Sequence, residues 1–295
     1  MKTNKNYAVA ILGTGNIGTD LLMKVQSSTI LHCALFSGRN LASPGMSRAV
    51  AQNVPVSDRG IDGILESKEQ IRLVFDATSA IDHIRHAKIL QKHGIKAVDL
   101  TPSKIGSMCI PAVNLNECIT YSNVNMITCG GQASIPIAHA ISRAGAQIEY
   151  IETVSSIASR SAGPATRVNI DEYIITTEKG LSTFTNCSHA KAILVLNPAN
   201  PCVNMQTTVL AKILNPDIDR IRNEVDLMVG DIQSYVPGYE LIVPPTIEGG
   251  RLFCTVKVTG RGDYLPKYAG NLDIINCAAI AYAEAIANKF MGVVQ

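Results

Sequence analysis

An apolar run that leads directly into a glycine-rich turn constrains this chain more than any other feature. Tyr7-Ala8-Val9-Ala10-Ile11-Leu12 is followed at once by Gly13-Thr14-Gly15-Asn16-Ile17-Gly18, and Thr19 to Val25 then has the residues of a helix. A continuous apolar run suits a strand buried on both faces of a parallel sheet. Strand, G-x-G-x-x-G, helix is the order of a dinucleotide-binding unit. Gly13 permits the tight turn, Gly15 lets backbone approach a pyrophosphate, and Gly18 lets helix and strand pack closely. The helix N-terminus then offers free N–H groups and the positive end of its dipole to the phosphates.

Further βα units follow. His32 to Phe36, Leu73 to Ala77 and Lys96 to Leu100 are apolar enough for strands, and a helix is expected from about Ile81 to His93. His83, His86 and His93 on that helix are expected at the surface. An NAD site calls for an acid after the second strand, but the residues there are Ser37-Gly38-Arg39-Asn40. Arg39 either faces a 2′-phosphate or stands as a solvated loop residue, so NAD and NADP both stay open. Five or six strands are expected over residues 6–128. From Ile148 to about Gly260 the pattern shifts to period 2, at Gln147 to Ala158, Lys191 to Leu196, Asn204 to Leu210 and Arg251 to Val258, with a hairpin signal at Glu248-Gly249-Gly250. Leu272 to Phe290 has the spacing of a buried helix. The expectation is an α/β protein. An N-terminal Rossmann-type parallel sheet (1–128, completed by a helix over 271–295) precedes a second α+β domain with a mixed or antiparallel sheet (129–270).

Composition excludes several classes. The chain is 46% hydrophobic over 295 residues, so it is no disordered tail, and a formal net charge of +2 without a dense Lys/Arg cluster argues against nucleic acid as a partner. Cys118 to Ser142 is free of charged residues, but its Asn, Gln, Gly and His residues do not suit a lipid-facing helix. No targeting signal is apparent, and a cytoplasmic location is expected. Eight cysteines, none in Cys-x-x-Cys spacing, predict neither a disulfide scaffold nor a metal site. Seven are expected to be small buried hydrophobes. Cys129 differs. Asn125 to Thr128 suits a short strand, and Cys129-Gly130-Gly131-Gln132-Ala133 leads into a helix expected to open at Ser134-Ile135-Pro136. A thiol at such a turn is expected to have a lowered pKa. The Gly130 and Gly131 N–H groups are candidates for holding an oxyanion, and the two glycines are expected to keep the sulfur accessible. Thiolate attack on an aldehyde followed by hydride loss leaves a thioester, which joins this cysteine to the dinucleotide turn in one chemistry.

Thr14 to Leu21, Cys129 to Pro136, Ser161-Ala162-Gly163-Pro164-Ala165-Thr166-Arg167-Val168-Asn169-Ile170-Asp171-Glu172, and Tyr268 to Ile274 resemble the acylating acetaldehyde dehydrogenases. The resemblance runs from near residue 7 to near residue 290. It implies conversion of acetaldehyde and coenzyme A to acetyl-CoA with NAD, with Cys129 as the acyl-thioester nucleophile. It implies dinucleotide contacts from Thr14 to Ile17, from Ser161 to Asn169 and from Asn271, with CoA taking much the same groove after NADH leaves. It also implies a homodimer or larger assembly and docking to a 4-hydroxy-2-oxovalerate aldolase. Thr207 stands where the family carries an Asp thought to help activate the thiol, and a hydroxyl is no general base at neutral pH. Two alternatives remain. One is a phosphorylating semialdehyde-type dehydrogenase with His139 or His189 as acid/base partner, and the other is a catalytically lapsed nucleotide-binding partner of an aldolase.

Overall fold

The computed structural model describes residues 7–292, and these form two compact units. The first takes in residues 7–109, 114–126 and 276–292, and the second residues 110–113 and 127–275. The parts of the expected domains at residues 1–6 and 293–295 lie outside the described residues.

The first stretch of chain runs β1 (Tyr7–Leu12), α1 (Asn16–Ser27), β2 (Leu31–Ser37), α2 (Pro44–Ala51), β3 (Val56–Ser57), α3 (Gly60–Leu65), β4 (Leu73–Asp76), α4 (Ala80–Lys92), β5 (Lys96–Asp99), β6 (Ser107–Met108), α5 (Pro111–Cys118) and β7 (Asn123–Asn125). Its strands form one seven-stranded sheet in the order β3-β2-β1-β4-β5-β7-β6, with every pairing parallel. Seven strands form where five or six are expected, because β3 and β6 are two residues each and carry no periodic signal. The strand expected at Asn125 to Thr128 forms instead at Asn123–Asn125, and residues 126–128 are not strand. All six residues of β1 are buried between β2 and β4, as an apolar run without alternation requires.

The histidines of α4 correct the sequence expectation. His93 is exposed, but His83 and His86 are buried. Both direct Nδ1 at Asp76 Oδ2, at 2.9 and 2.8 Å, and His83 Nε2 faces Asp99 Oδ2 at 3.6 Å. Asp76 closes β4 inside the protein, and a buried carboxylate needs donors, so the helix turns its imidazoles inward. Burial opposes the charge on Asp76, but the two imidazole hydrogen bonds outweigh it and hold the carboxyl well below its ordinary range. Burial also opposes the charged form of His83, and the Asp76 hydrogen bond with the Asp99 and Asp76 charges reverses this and raises its pKa. A depressed carboxyl contributes stability above its unfolded value of 3.8, and this is lost as pH falls toward the folded value. The urea midpoint is therefore expected to drop between about pH 5 and about pH 3, and Asp76→Asn to flatten that acid limb. Urea unfolding of both proteins across that range measures the difference.

The second stretch runs α6 (Cys129–Arg143), β8 (Gln147–Ala158), a 3₁₀ turn (Ser159–Ser161), α7 (Pro164–Val168), α8 (Ile170–Thr185), β9 (Ala190–Asn197), β10 (Met205–Leu214), α9 (Ile218–Gln233), β11 (Tyr239–Glu248), β12 (Arg251–Val258) and α10 (Gly270–Phe290). Its sheet has the order β11-β12-β10-β8-β9. Three pairings are antiparallel and β8–β9 is parallel, a mixed sheet as expected. The hairpin at Glu248-Gly249-Gly250 joins β11 to β12.

From Asn276 onward α10 belongs to the first unit. Asn276 Nδ2 donates to Asp20 Oδ2 (2.8 Å) and to the Ile17 carbonyl (3.2 Å), while Asp20 pairs with Lys24 at 2.9 Å. Ser28 donates to Glu284, and Tyr282 donates to the Cys118 carbonyl. Among the described residues no helix is long and apolar enough to cross a membrane.

Candidate active site

The glycine turn in the first unit has the geometry its sequence calls for. Gly13 lies at φ +113°, and a β-carbon there would meet the Ala77 carbonyl oxygen at 2.5 Å. A β-carbon on Gly18 would lie 1.9 Å from the Gly13 carbonyl oxygen, so β1 and α1 approach as closely as backbones can. Gly15 is different, because a β-carbon there meets nothing within 4 Å. Gly15 is also the N-cap of α1, where no side chain caps the helix and no acidic residue occupies the first turn. The turn is therefore open to an anion at the positive end of α1. Gly15 and Asn16 are exposed, Ile17 is half-buried, and Thr14 accepts a hydrogen bond from Ser43 at 3.1 Å. After β2, the Ser37 hydroxyl turns inward onto the Gly60 carbonyl, and Arg39 is exposed in the loop.

The other expected dinucleotide residues lie in the second unit. Ser161 and Ala162 are buried, and the Ser161 hydroxyl donates to the Ala158 carbonyl. Gly163 has open space at its β-position. The Arg167 guanidinium bonds the Ala162 and Ser159 carbonyls and the Ser159 hydroxyl, so it fixes the shape of this segment. Thr166 is half-buried, Val168 is exposed, and Asn169 caps the start of α8 by position. The side chains of Pro164 and Ala165 lie outside the described residues. Asn271 is buried, with an Oδ1 that accepts no hydrogen bond among the described residues. Within the first unit, the uncapped, unobstructed N-terminus of α1 fits the phosphates of a dinucleotide.

Cys129 is the first residue of α6. The helix starts five residues earlier than Ser134 because the Thr128 hydroxyl caps it, accepting from the Gly131 N–H at 2.8 Å. Pro136 consequently lies inside the helix and not in its first turn. The cap also removes the Gly131 N–H from the two expected oxyanion donors, leaving that of Gly130; the Cys129 N–H, not among those expected, also bears on the thiol. Ile127, two residues before the cysteine, is held at φ +61°, a left-handed conformation unfavourable to a β-branched residue.

The expected lowering of the thiol pKa is not found. Cys129 keeps part of its surface open, but packing around the sulfur pushes the thiol up to about 11, outweighing the Gly130 N–H, the Tyr173 hydroxyl and its own N–H. Nor do the glycines simply clear a path to the sulfur. A β-carbon on Gly130 would lie 1.9 Å from the Tyr173 hydroxyl and 2.8 Å from Ser155 Oγ, so the bare face of Gly130 admits those two groups. Thr207 is fully buried and shares a 3.0 Å hydrogen bond with Ser155. Sequence reasoning missed Tyr173 and Ser155, since Tyr173 looks like one more amphipathic helix residue and Ser155 sits on a strand 26 residues from Cys129. His139 binds the Phe184 carbonyl through Nδ1, and His189 is exposed.

A parallel sheet with this glycine turn, joined in one chain to a cysteine heading a capped helix, defines a nicotinamide-dinucleotide dehydrogenase, using NAD or NADP. Residues 129–266 match the family described as prokaryotic acetaldehyde dehydrogenase, dimerisation. The chain is 56% identical to the acetaldehyde dehydrogenase of Spirochaeta aurantia over 96% of this chain and 95% of that one. It is 56% identical to that of Pectobacterium atrosepticum over 98% of both chains, and 47% identical to acetaldehyde dehydrogenase 2 of Salinispora arenicola over 94% of both. The chain belongs to the acetaldehyde dehydrogenase family. Its fold is similar to that of aspartate semialdehyde dehydrogenase II from Vibrio cholerae, with a TM-score of 0.64 at 15% identity, covering 97% of this chain and 98% of that one.

Proposed function

We propose that this protein oxidises a short-chain aldehyde, acetaldehyde or propanal, with NAD and passes the acyl group to coenzyme A through a thioester on Cys129. The observation that carries this reading is the placement of Cys129 as the first residue of α6, at the free N–H groups of the helix N-terminus. The first unit serves as the dinucleotide-binding domain and the second as the catalytic and dimerisation domain.

In the first unit Gly13, Thr14, Gly15, Asn16, Ile17 and Gly18 at the head of α1 hold the dinucleotide phosphates. In the second unit the family resemblance makes Ser161 to Asn169 and Asn271, whose Oδ1 has no partner among the described residues, further dinucleotide contacts. When bound, the oxidised nicotinamide supplies a hydride acceptor and a positive charge that favours an ionised thiol. Ionised Cys129 attacks the aldehyde carbon, and the Cys129 and Gly130 N–H groups hold the oxygen as it gains charge. Loss of hydride from that carbon leaves the thioester. The CoA thiol then attacks the acyl carbon, and Cys129 leaves as thiolate. Eight free cysteines suit a reducing compartment such as the cytoplasm. Val195 on edge strand β9 and Ile242 on edge strand β11 are exposed apolar residues suited to burial against a second copy. The family resemblance extends the partnership to a 4-hydroxy-2-oxovalerate aldolase.

One assay matrix tests this reading: aldehyde, with NAD or NADP, with CoA or phosphate, followed as absorbance of the reduced dinucleotide. Turnover is expected with CoA and not with phosphate, and turnover with phosphate alone would replace this reading with a phosphorylating one. Arg39 is the exposed cation after β2, where no carboxylate excludes a 2′-phosphate. Arg39→Ala is expected to weaken NADP about tenfold, roughly 1.4 kcal/mol, and to leave NAD unchanged.

A further inference from the structure

Tyr173 is a costly residue for a merely structural site. It is 7% exposed, and its hydroxyl lies beside the Cys129 thiol and the Ser155 hydroxyl. Among the described residues that hydroxyl closes a well-formed hydrogen bond with neither. A buried hydroxyl without a partner weakens a fold, and phenylalanine would fill the same space without that loss. The surroundings nevertheless accommodate the oxygen. Gly130 has no β-carbon to collide with it, and the Ser155 hydroxyl next to it is steadied by Thr207 at 3.0 Å. Besides packing, the groups that bear on the Cys129 thiol are the Gly130 N–H, the Tyr173 hydroxyl and the cysteine's own N–H.

We propose that Tyr173 is a catalytic residue whose hydroxyl donates a hydrogen bond to the ionised Cys129 sulfur and so holds it as thiolate. This rests on the reading of Cys129 as nucleophile. The thiol proton leaves to water on the open side of Cys129. The phenolic proton stays on its own oxygen, because burial and the neighbouring cysteine charge push the Tyr173 phenol well above its ordinary value. The hydroxyl thus waits unpaired beside a neutral thiol and gains its partner when the sulfur ionises. Ionisation is favoured by a donor and not by a base, which suits a site whose position 207 carries a hydroxyl.

The test is Tyr173→Phe, which keeps the ring and removes only the oxygen. Iodoacetamide alkylation is followed across a pH series by mass on the peptide carrying Cys129, with the partly exposed Cys202 as internal control. The Cys129 midpoint is expected to rise by about one pH unit, so that alkylation at neutral pH slows about tenfold. The Cys202 profile should stay put, and the thermal midpoint should be unchanged or higher. A merely structural tyrosine predicts an unmoved Cys129 midpoint, and that result would overturn the assignment. Cys129→Ser separates this from the proposed function. An unmoved midpoint with an inactive serine variant overturns the tyrosine role alone. A shifted midpoint with an active serine variant keeps the tyrosine role as donor to the thiolate and removes the thioester chemistry.

Discussion

Cys129→Ser is expected to lower turnover of aldehyde, dinucleotide and CoA by a factor on the order of 10⁴ or more, while dinucleotide affinity stays within about threefold. The reason lies in the geometry around one atom. Serine fits the start of α6, and the Thr128 cap and the Gly131 N–H are unaffected. What is lost is an atom able to form a thioester that a second thiol can displace. Even in the native site the packing holds the thiol at about 11, so little of it is ionised at neutral pH before ligands arrive. A hydroxyl starts from a far higher value in the same surroundings. Steady-state rates with titration of dinucleotide fluorescence measure the two quantities separately. Turnover persisting in the serine variant would move the nucleophile elsewhere.

The second large effect is expected at Gly18, and its contrast with Gly15 carries the information. In Gly18→Ala the new β-carbon meets the Gly13 carbonyl oxygen at 1.9 Å, and neither backbone has a flexible end that can yield. The turn must open, with an expected loss of about 3 kcal/mol or more, and dinucleotide binding falls with it. In Gly15→Ala the new carbon meets no protein atom within 4 Å, and the φ of −77° suits alanine. The expected cost to the fold is that of an N-cap change, about 0.5–1 kcal/mol. Affinity for the dinucleotide is nonetheless expected to fall about tenfold, since the proposed function places the pyrophosphate in the empty space at Gly15. Urea unfolding with dinucleotide titration on both variants distinguishes a glycine needed by the protein from one needed by its ligand.

The first βα unit, the parallel sheet and the mixed second sheet were legible in the residues, because each rests on local chemistry: an apolar run, a spaced set of glycines, a period of two. What was not legible depends on contacts between distant residues. In α4 the pattern misleads, since Ile81 is 83% exposed while His83 is buried. The inward face is chosen by Asp76 at the end of β4, which no local pattern announces. The period-2 reading of residues 148–260 passes over α8 and α9, although α9 buries Ile221, Val225, Met228, Val229 and Ile232 at helical spacing behind an Asp217 cap. Helix N-terminal placement alone suggests an acidic thiol at Cys129, and only the packed surroundings show that desolvation wins. Tyr173 comes to Gly130 from 43 residues away in sequence, a meeting that periodicity cannot foretell.

The return of α10 to the first unit has a consequence for biosynthesis. The first seven strands leave the ribosome early, but Asn276, which bonds Asp20 and the Ile17 carbonyl, emerges only after the whole second unit has been translated. Until then the nascent first unit lacks a helix that it needs, and the buried Asp20–Lys24 pair stands partly unclothed. Native assembly of the first unit thus awaits α10. A stalled or truncated chain would be a client for chaperones and proteases even with its glycine turn and Cys129 intact.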